Sequence, residues 1–161
     1  MKYEDAFKIL LTFEGSAFTQ TSGDVGGKTK FGISEKAYPG LDIENITLDQ
    51  ARLIYQADYW NHSKCPDLPE ALQYMVFDTA VNCGQRTAIM LLQKCAGIKQ
   101  DGIIGQQTND ATKRITIEQY ADARKLYYDN IVLKNPSQEK FKAGWINRVE
   151  RIVQMQLNGE L

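Results

Sequence analysis

The chain opens on a helical stripe. Phe7, Leu10, Leu11 and Glu14 recur at i, i+3, i+4 and i+7, which predicts an α-helix over 3–14 with a carboxylate closing its apolar face. From Thr19 to Ser34 that period disappears. Thr, Val and Phe are interspersed there with Gly23, Gly26, Gly27 and Gly32, the pattern of a short, turn-rich β-hairpin and the one convincing β segment in the sequence. Thr47-Leu48-Asp49-Gln50 reads as a capping box opening a helix that runs through Trp60. Asp67-Leu68-Pro69-Glu70 opens the next, with Leu72, Met75, Val76, Thr79 and Cys83 on one face until Gly84 breaks the run. Ala88, Leu91, Leu92 and Cys95 mark a further helix ending near Gly97. Asp101-Gly102 makes a turn, and Gly105 leads into another helical segment. Two long amphipathic helices follow, the first carrying Ile117, Tyr120, Ala121, Tyr128 and Ile131 and stopping before Pro136, the second carrying Phe141, Trp145, Val149 and Ile152. The expected fold class is therefore mainly α (α+β), helical with one small hairpin.

A chain of 161 residues, 43% of them hydrophobic, buries one core comfortably. No repeat, linker or low-complexity tract divides it, so one compact domain over 1–161 is expected. Its apolar stretches are all interrupted by Lys, Asp or Gln within a few positions, which argues against an integral membrane segment. Met1-Lys2-Tyr3-Glu4-Asp5 enters an acidic amphipathic pattern directly, unlike a secretory signal, so synthesis in a bacterial cytoplasm is expected. Cys65, Cys83 and Cys95 are odd in number and lack framework spacing, which favours free buried thiols. With His62 they form no C-x-x-C or H-x-x-x-H pair, and neither a metal nor a cofactor is expected. The net charge of −1 is unevenly spread: residues 1–112 hold 10 basic and 14 acidic side chains, residues 113–161 hold 9 and 6. A +3 tail is too mild for nucleic acid, which usually demands a strongly basic face. It suits an anionic polymer such as a cell wall, or equally an ordinary solvated helix face.

Candidate chemistry starts at Glu14. A carboxyl that ends an apolar stripe is desolvated, which favours the protonated form that a general acid needs. Ten residues on begins Asp24-Val25-Gly26-Gly27-Lys28-Thr29-Lys30-Phe31-Gly32-Ile33, where glycines let backbone approach a ligand closely. A helix-end carboxyl facing a hairpin carboxyl across a groove is a glycosidase layout. One acid protonates the leaving glycosidic oxygen, and the other stabilises the oxocarbenium-like centre or orients a water that Thr29 also holds. Gly27-Lys28-Thr29 also suggests a phosphate-binding P-loop. That motif needs a glycine five positions before Gly27, where Ser22 stands, together with a preceding buried strand and a following helix that are missing here.

These residues resemble a known family. Glu14-Gly15 followed by Asp24-x-Gly26-Gly27-x-Thr29-x-Phe31-Gly32-Ile33 is similar to the signature of the glycoside hydrolase family 108 lysozymes, found in phage endolysins and in bacterial proteins that aid secretion. The resemblance runs on through Tyr55 to Trp60 and Phe77-Asp78-x-Ala80-Val81-Asn82-x-Gly84. Leu92-Gln93 with Asp101-Gly102-x-Ile104-Gly105-x-x-Thr108 resembles the peptidoglycan-binding segment usually fused to that family. It implies a lysozyme-like helical domain, with a catalytic part over 1–95 and a wall-binding-like helical part over 96–161 packed on it. It also implies Glu14 as acid, Asp24 and Thr29 as water-positioning or cation-stabilising partners, and Phe31, Trp60 and Asn82 in the sugar cleft. On the pattern alone Phe31 and Trp60 serve equally as core aromatics, and Asn82 as a cap of the helix that Gly84 ends. The sequence departs from the family at Ser16, Thr19, Lys30 and Phe31, where a second glycine, asparagine, asparagine and tyrosine are usual. These changes alter the groups offered to a glycan and leave the catalytic trio intact.

The resemblance implies cleavage of the β-1,4 bond between N-acetylmuramic acid and N-acetylglucosamine by a monomeric phage or prophage endolysin. Its partner is peptidoglycan, reached after release by a holin. The alternatives are a lytic transglycosylase, which closes the sugar's own hydroxyl onto the anomeric carbon, and a non-catalytic wall-binding or secretion-assisting module. Asp24 and Thr29 argue for water as the acceptor, and an intact Glu14 argues for turnover.

Overall fold

A computed structural model describes residues 1–14 and 28–161. They are mainly helical: seven α-helices and a single two-stranded antiparallel hairpin occur among the described residues, as the hydrophobic pattern predicts. The chain forms two compact units, Lys2–Asp58 and Met1 with Tyr59–Leu161.

In the unit of residues 2–58, α1 (Tyr3–Glu14) buries Tyr3, Ala6, Phe7 and Leu10, the stripe read from the sequence. Of the hairpin expected over 19–34, residues 19–27 lie outside the described residues. β1 (Thr29–Lys30) and β2 (Ile33–Ser34) pair Thr29 with Ser34 and Lys30 with Ile33, so Phe31 and Gly32 alone make the turn. Both have positive φ, +52° and +77°. A two-residue turn of that hand matches the right-handed twist of the flanking strands. The hairpin base is held by Lys28 Nζ on the Glu44 carboxylate at 3.0 Å and by Lys30 Nζ donating to the Glu44 carbonyl at 2.9 Å. Helix α2 (Leu48–Tyr55) carries the expected capping box, Thr47 with Gln50. It then runs into a π-helical turn, Gln56–Asn61, where a regular helix had been expected to continue. Tyr38 donates from its hydroxyl to Asp58 across 2.9 Å.

The unit of residues 59–161 is built around α3 (Glu70–Cys83), whose residues Leu72 to Ala80 are all buried. A helix apolar on every side belongs in the middle of a core. Around it pack α4 (Gln85–Cys95), α6 (Ile117–Lys134) and α7 (Glu139–Leu157), with α5 (Gln106–Thr112) against α4. Gly84, at φ +89°, makes the corner between α3 and α4. Helix α6 has a capping box of its own, Thr116 with Gln119, and ends before Pro136.

The core of this unit also holds charge. Asp78 on α3 is fully buried and meets two arginines: Arg124 of α6, buried as completely, at 2.7 Å, and Arg148 of α7 at 2.6 Å. Arg124 Nε also donates to the Tyr128 hydroxyl at 3.0 Å. A single buried carboxylate thereby ties three helices together, and removing one partner of such an ion pair leaves an uncompensated charge. The three cysteines are free, as expected. Cys65 is fully buried in a 3₁₀ turn, while Cys83 and Cys95 are only partly covered.

Candidate active site

Glu14 is the last residue of α1, and the buried aromatic side of that helix sets where it points. The Tyr3 hydroxyl donates to the Arg52 carbonyl of α2, and the Phe7 ring lies 5.9 Å from that of Tyr55. Tyr55 is 2% exposed and reaches past α1 to the hairpin, where its hydroxyl donates to the Phe31 carbonyl at 3.0 Å. Helix end, hairpin tip and tyrosine converge on Gly32. A methyl group built on Gly32 would stand 2.5 Å from the Tyr55 hydroxyl, 3.2 Å from Glu14 Oε2 and 3.3 Å from Glu14 Cβ. Glycine is thus required twice, for its left-handed φ and for the space that the phenol and the carboxylate occupy.

The half-buried Glu14 side chain lies against the tip of the hairpin, in keeping with a carboxyl fixed by its surroundings and still open to a ligand. Thr29 stands on the same hairpin, in the Thr29–Ser34 pair beside the turn, and is partly exposed. Asp24 lies outside the described residues. Phe31 is partly exposed at the turn itself, with Lys30 Nζ 5.5 Å from its ring centre. The structure therefore brings Glu14 and the Phe31–Gly32 turn together.

Trp60 and Asn82 belong to the other unit. Trp60 is 3% exposed and packs edge-on against Phe77, with centroids 5.4 Å apart, the core-aromatic alternative for this residue. Asn82 is exposed near the end of α3, where its Nδ2 donates to the Asp78 carbonyl at 2.8 Å. Tyr55 was missed as a site residue. It belongs to the segment that resembles the family, and its burial on α2 gave no hint that its hydroxyl would reach the hairpin.

The Asp101-to-Thr108 segment directs its polar groups inward. Gln93, 1% exposed on α4, donates to Asp101 Oδ1 at 2.7 Å and to the Ile103 carbonyl at 3.0 Å, and accepts from the Gly102 N–H at 2.9 Å. The Gln93 amide, then the Ile103 N–H, hold the Asp101 carboxyl below its usual range. This motif is a turn locked by the Gln93 side chain. Among the described residues no cluster of His, Cys, Asp and Glu could hold a metal, and no helix is long and apolar enough to cross a membrane.

A carboxylate at a helix end, set against a two-residue hairpin turn on a mainly helical scaffold, suits proton donation to a glycosidic oxygen. Residues 7–84 match the model of glycosyl hydrolase 108, and residues 87–150 match that of a predicted peptidoglycan domain; the two matches together support a glycosyl hydrolase 108-like protein that acts on peptidoglycan. It is also similar to the solved structure of Brucella abortus SagA, with 28% sequence identity, a TM-score of 0.83, and coverage of 97% of this chain and 94% of that one. No curated protein matches it.

Proposed function

We propose that the chain is an N-acetylmuramidase, a lysozyme hydrolysing the β-1,4 bond between N-acetylmuramic acid and N-acetylglucosamine. The observation that carries this reading is the Glu14 carboxylate held against the Phe31–Gly32 turn, within the residues that match the glycosyl hydrolase 108 model. Glu14 acts as the general acid, donating its proton to the leaving glycosidic oxygen. Thr29, beside the same turn, orients the attacking water. Asp24 supplies the second carboxylate, which stabilises positive charge at the anomeric carbon or activates that water. Phe31, in the same turn, contacts the sugar in this reading, and Trp60 and Asn82 stay candidates for glycan contacts from their own unit.

The test is mass spectrometry of the products from purified peptidoglycan. Muropeptides ending in reducing N-acetylmuramic acid support hydrolysis. Products ending in the 1,6-anhydro sugar would replace the reading with a transglycosylase, and no product would replace it with a binding module. In the same proposal the protein is a monomeric phage or prophage endolysin, made in the host cytoplasm and reaching the wall through a holin. Cell lysis that requires co-expression of a membrane-permeabilising protein supports that part. We further propose that the two compact units act as one domain over 1–161.

A further inference from the structure

One groove of the unit of residues 59–161 has the chemistry to hold an anionic glycan. Two neighbouring cavities of about 220 and 510 Å³ run along the outer side of α6 and share Tyr127 and Asn130. Ala123, Tyr127, Asn130, Ile131 and Lys134 recur at i, i+4, i+7, i+8 and i+11, so they form one face of that helix. At 1.5 Å per residue this face is about 16 Å long. From α4 come Met90 and Lys94. The floor is thus apolar and aromatic, and the rim holds the ammonium groups of Lys94 and Lys134 and the amides of Gln100 and Asn130.

Charge decides what fits. Among the described residues no acidic side chain lines either cavity, in a chain whose net charge is −1. Lys125 and Lys142 nearby are paired with Asp122 and Asp129 at 2.9 Å, whereas Lys94 and Lys134 have no ion-pair partner among the described residues. Asn130 gives one N–H to the Leu126 carbonyl, leaving a second N–H and its carbonyl oxygen to the groove. An aromatic floor suits the flat apolar face of a pyranose, as ring stacking does elsewhere, and paired ammonium groups suit carboxylates.

We infer that this α4–α6 groove is a second, non-catalytic binding site for a carboxylate-bearing muropeptide: the sugar lies over Tyr127, and the peptide-stem carboxylates meet Lys94 and Lys134. The inference rests on the peptidoglycan reading above and is tested separately from it. The full chain carrying Glu14→Gln is titrated with a soluble disaccharide-peptide and followed residue by residue by NMR. Two groups of resonances should move, one around the Phe31–Gly32 turn and one around Tyr127, Asn130 and Lys134. Lys94→Glu with Lys134→Glu should weaken the second group about tenfold or more while the first still responds. Turn resonances that move while the groove stays silent would overturn the groove and leave the muramidase reading standing. The reverse would support the groove and overturn the placement of the active site, and no movement at either would overturn both. An uncharged chito-oligosaccharide that occupies the groove as tightly as the muropeptide would also overturn it, because the carboxylates would then be doing nothing.

Discussion

Gly32→Ala separates a site built by packing from one merely drawn by sequence. At φ +77° an alanine in the left-handed region costs about 1–2 kcal/mol. The new methyl would also stand 2.5 Å from the Tyr55 hydroxyl, so the phenol must retreat and its 3.0 Å bond to the Phe31 carbonyl is lost. That hydrogen bond is worth about 0.5–1.5 kcal/mol. The sum is about 1.5–3.5 kcal/mol, or a fall in Tm of roughly 3–14 °C for a chain of this size. Activity should fall further than stability. The same methyl lies 3.2 Å from Glu14 Oε2, and displacing a catalytic group by about 1 Å can cost about 10²-fold in rate. The assay is a double-mutant cycle. Tyr55→Phe removes the oxygen that the methyl strikes, so Gly32→Ala should cost about 1 kcal/mol less in that background, beyond the ~0.5 kcal/mol scatter of independent sites. Additive losses in thermal unfolding, or a Gly32→Ala protein as stable and active as the parent, would refute the close approach.

Other changes probe the remaining parts. Glu14→Gln should abolish lysis of purified walls with its circular-dichroism melt unchanged, since the amide fills the same space without a proton to give; near-parental turbidity clearance would end the assignment. Asp24→Asn should cost less than Glu14→Gln, with about 10²-fold expected for a preorganised charge and an unchanged rate removing Asp24 from the site. Truncation before Lys113 deletes both arginines that face Asp78, a loss of about 3–5 kcal/mol before any apolar contact is counted. Residues 59–112 should then fail to melt cooperatively, and a sharp transition with retained activity in the 1–112 fragment would contradict both this and the one-domain proposal. Burial raises the Cys83 and Cys95 thiols above their usual range and Cys65 furthest of all. At pH 8 the folded chain should therefore react with a disulfide reagent far more slowly than the same chain in denaturant.

How far the sequence could be read depended on whether a feature was local. The stripe of α1, the Thr47–Gln50 box, the corner at Gly84 and the stop before Pro136 need only neighbours a few residues away, and each stands in the structure. The box at Thr116 and Gln119 was just as local and went unread. Arg124 was different. It lies on the apolar stripe of α6, where a charge suggests a break in the stripe, and its partner sits 46 positions earlier on another helix. Trp60 likewise offered two readings until Phe77 was found beside it, and Phe141, expected on the inner stripe of α7, is exposed. At the site, spacing pointed to Glu14 and the hairpin, but the Tyr55 hydroxyl that links them comes from a helix more than 20 residues beyond the turn.

Asp78 lies within the stretch that matches the glycosyl hydrolase 108 model, while Arg124 and Arg148 lie within the stretch that matches the predicted peptidoglycan domain. The two stretches look like exchangeable cassettes when the chain is read as a string, yet the salt cluster crosses their seam. A recombinant that joined 7–84 from one lineage to 87–150 from another would inherit the anion without its counterions unless both parents carried the cluster. The constraint acts on ancestry as much as on folding: the halves on either side of residue 85 should travel together, and any engineer who swaps wall specificity has to move α3 along with α6 and α7.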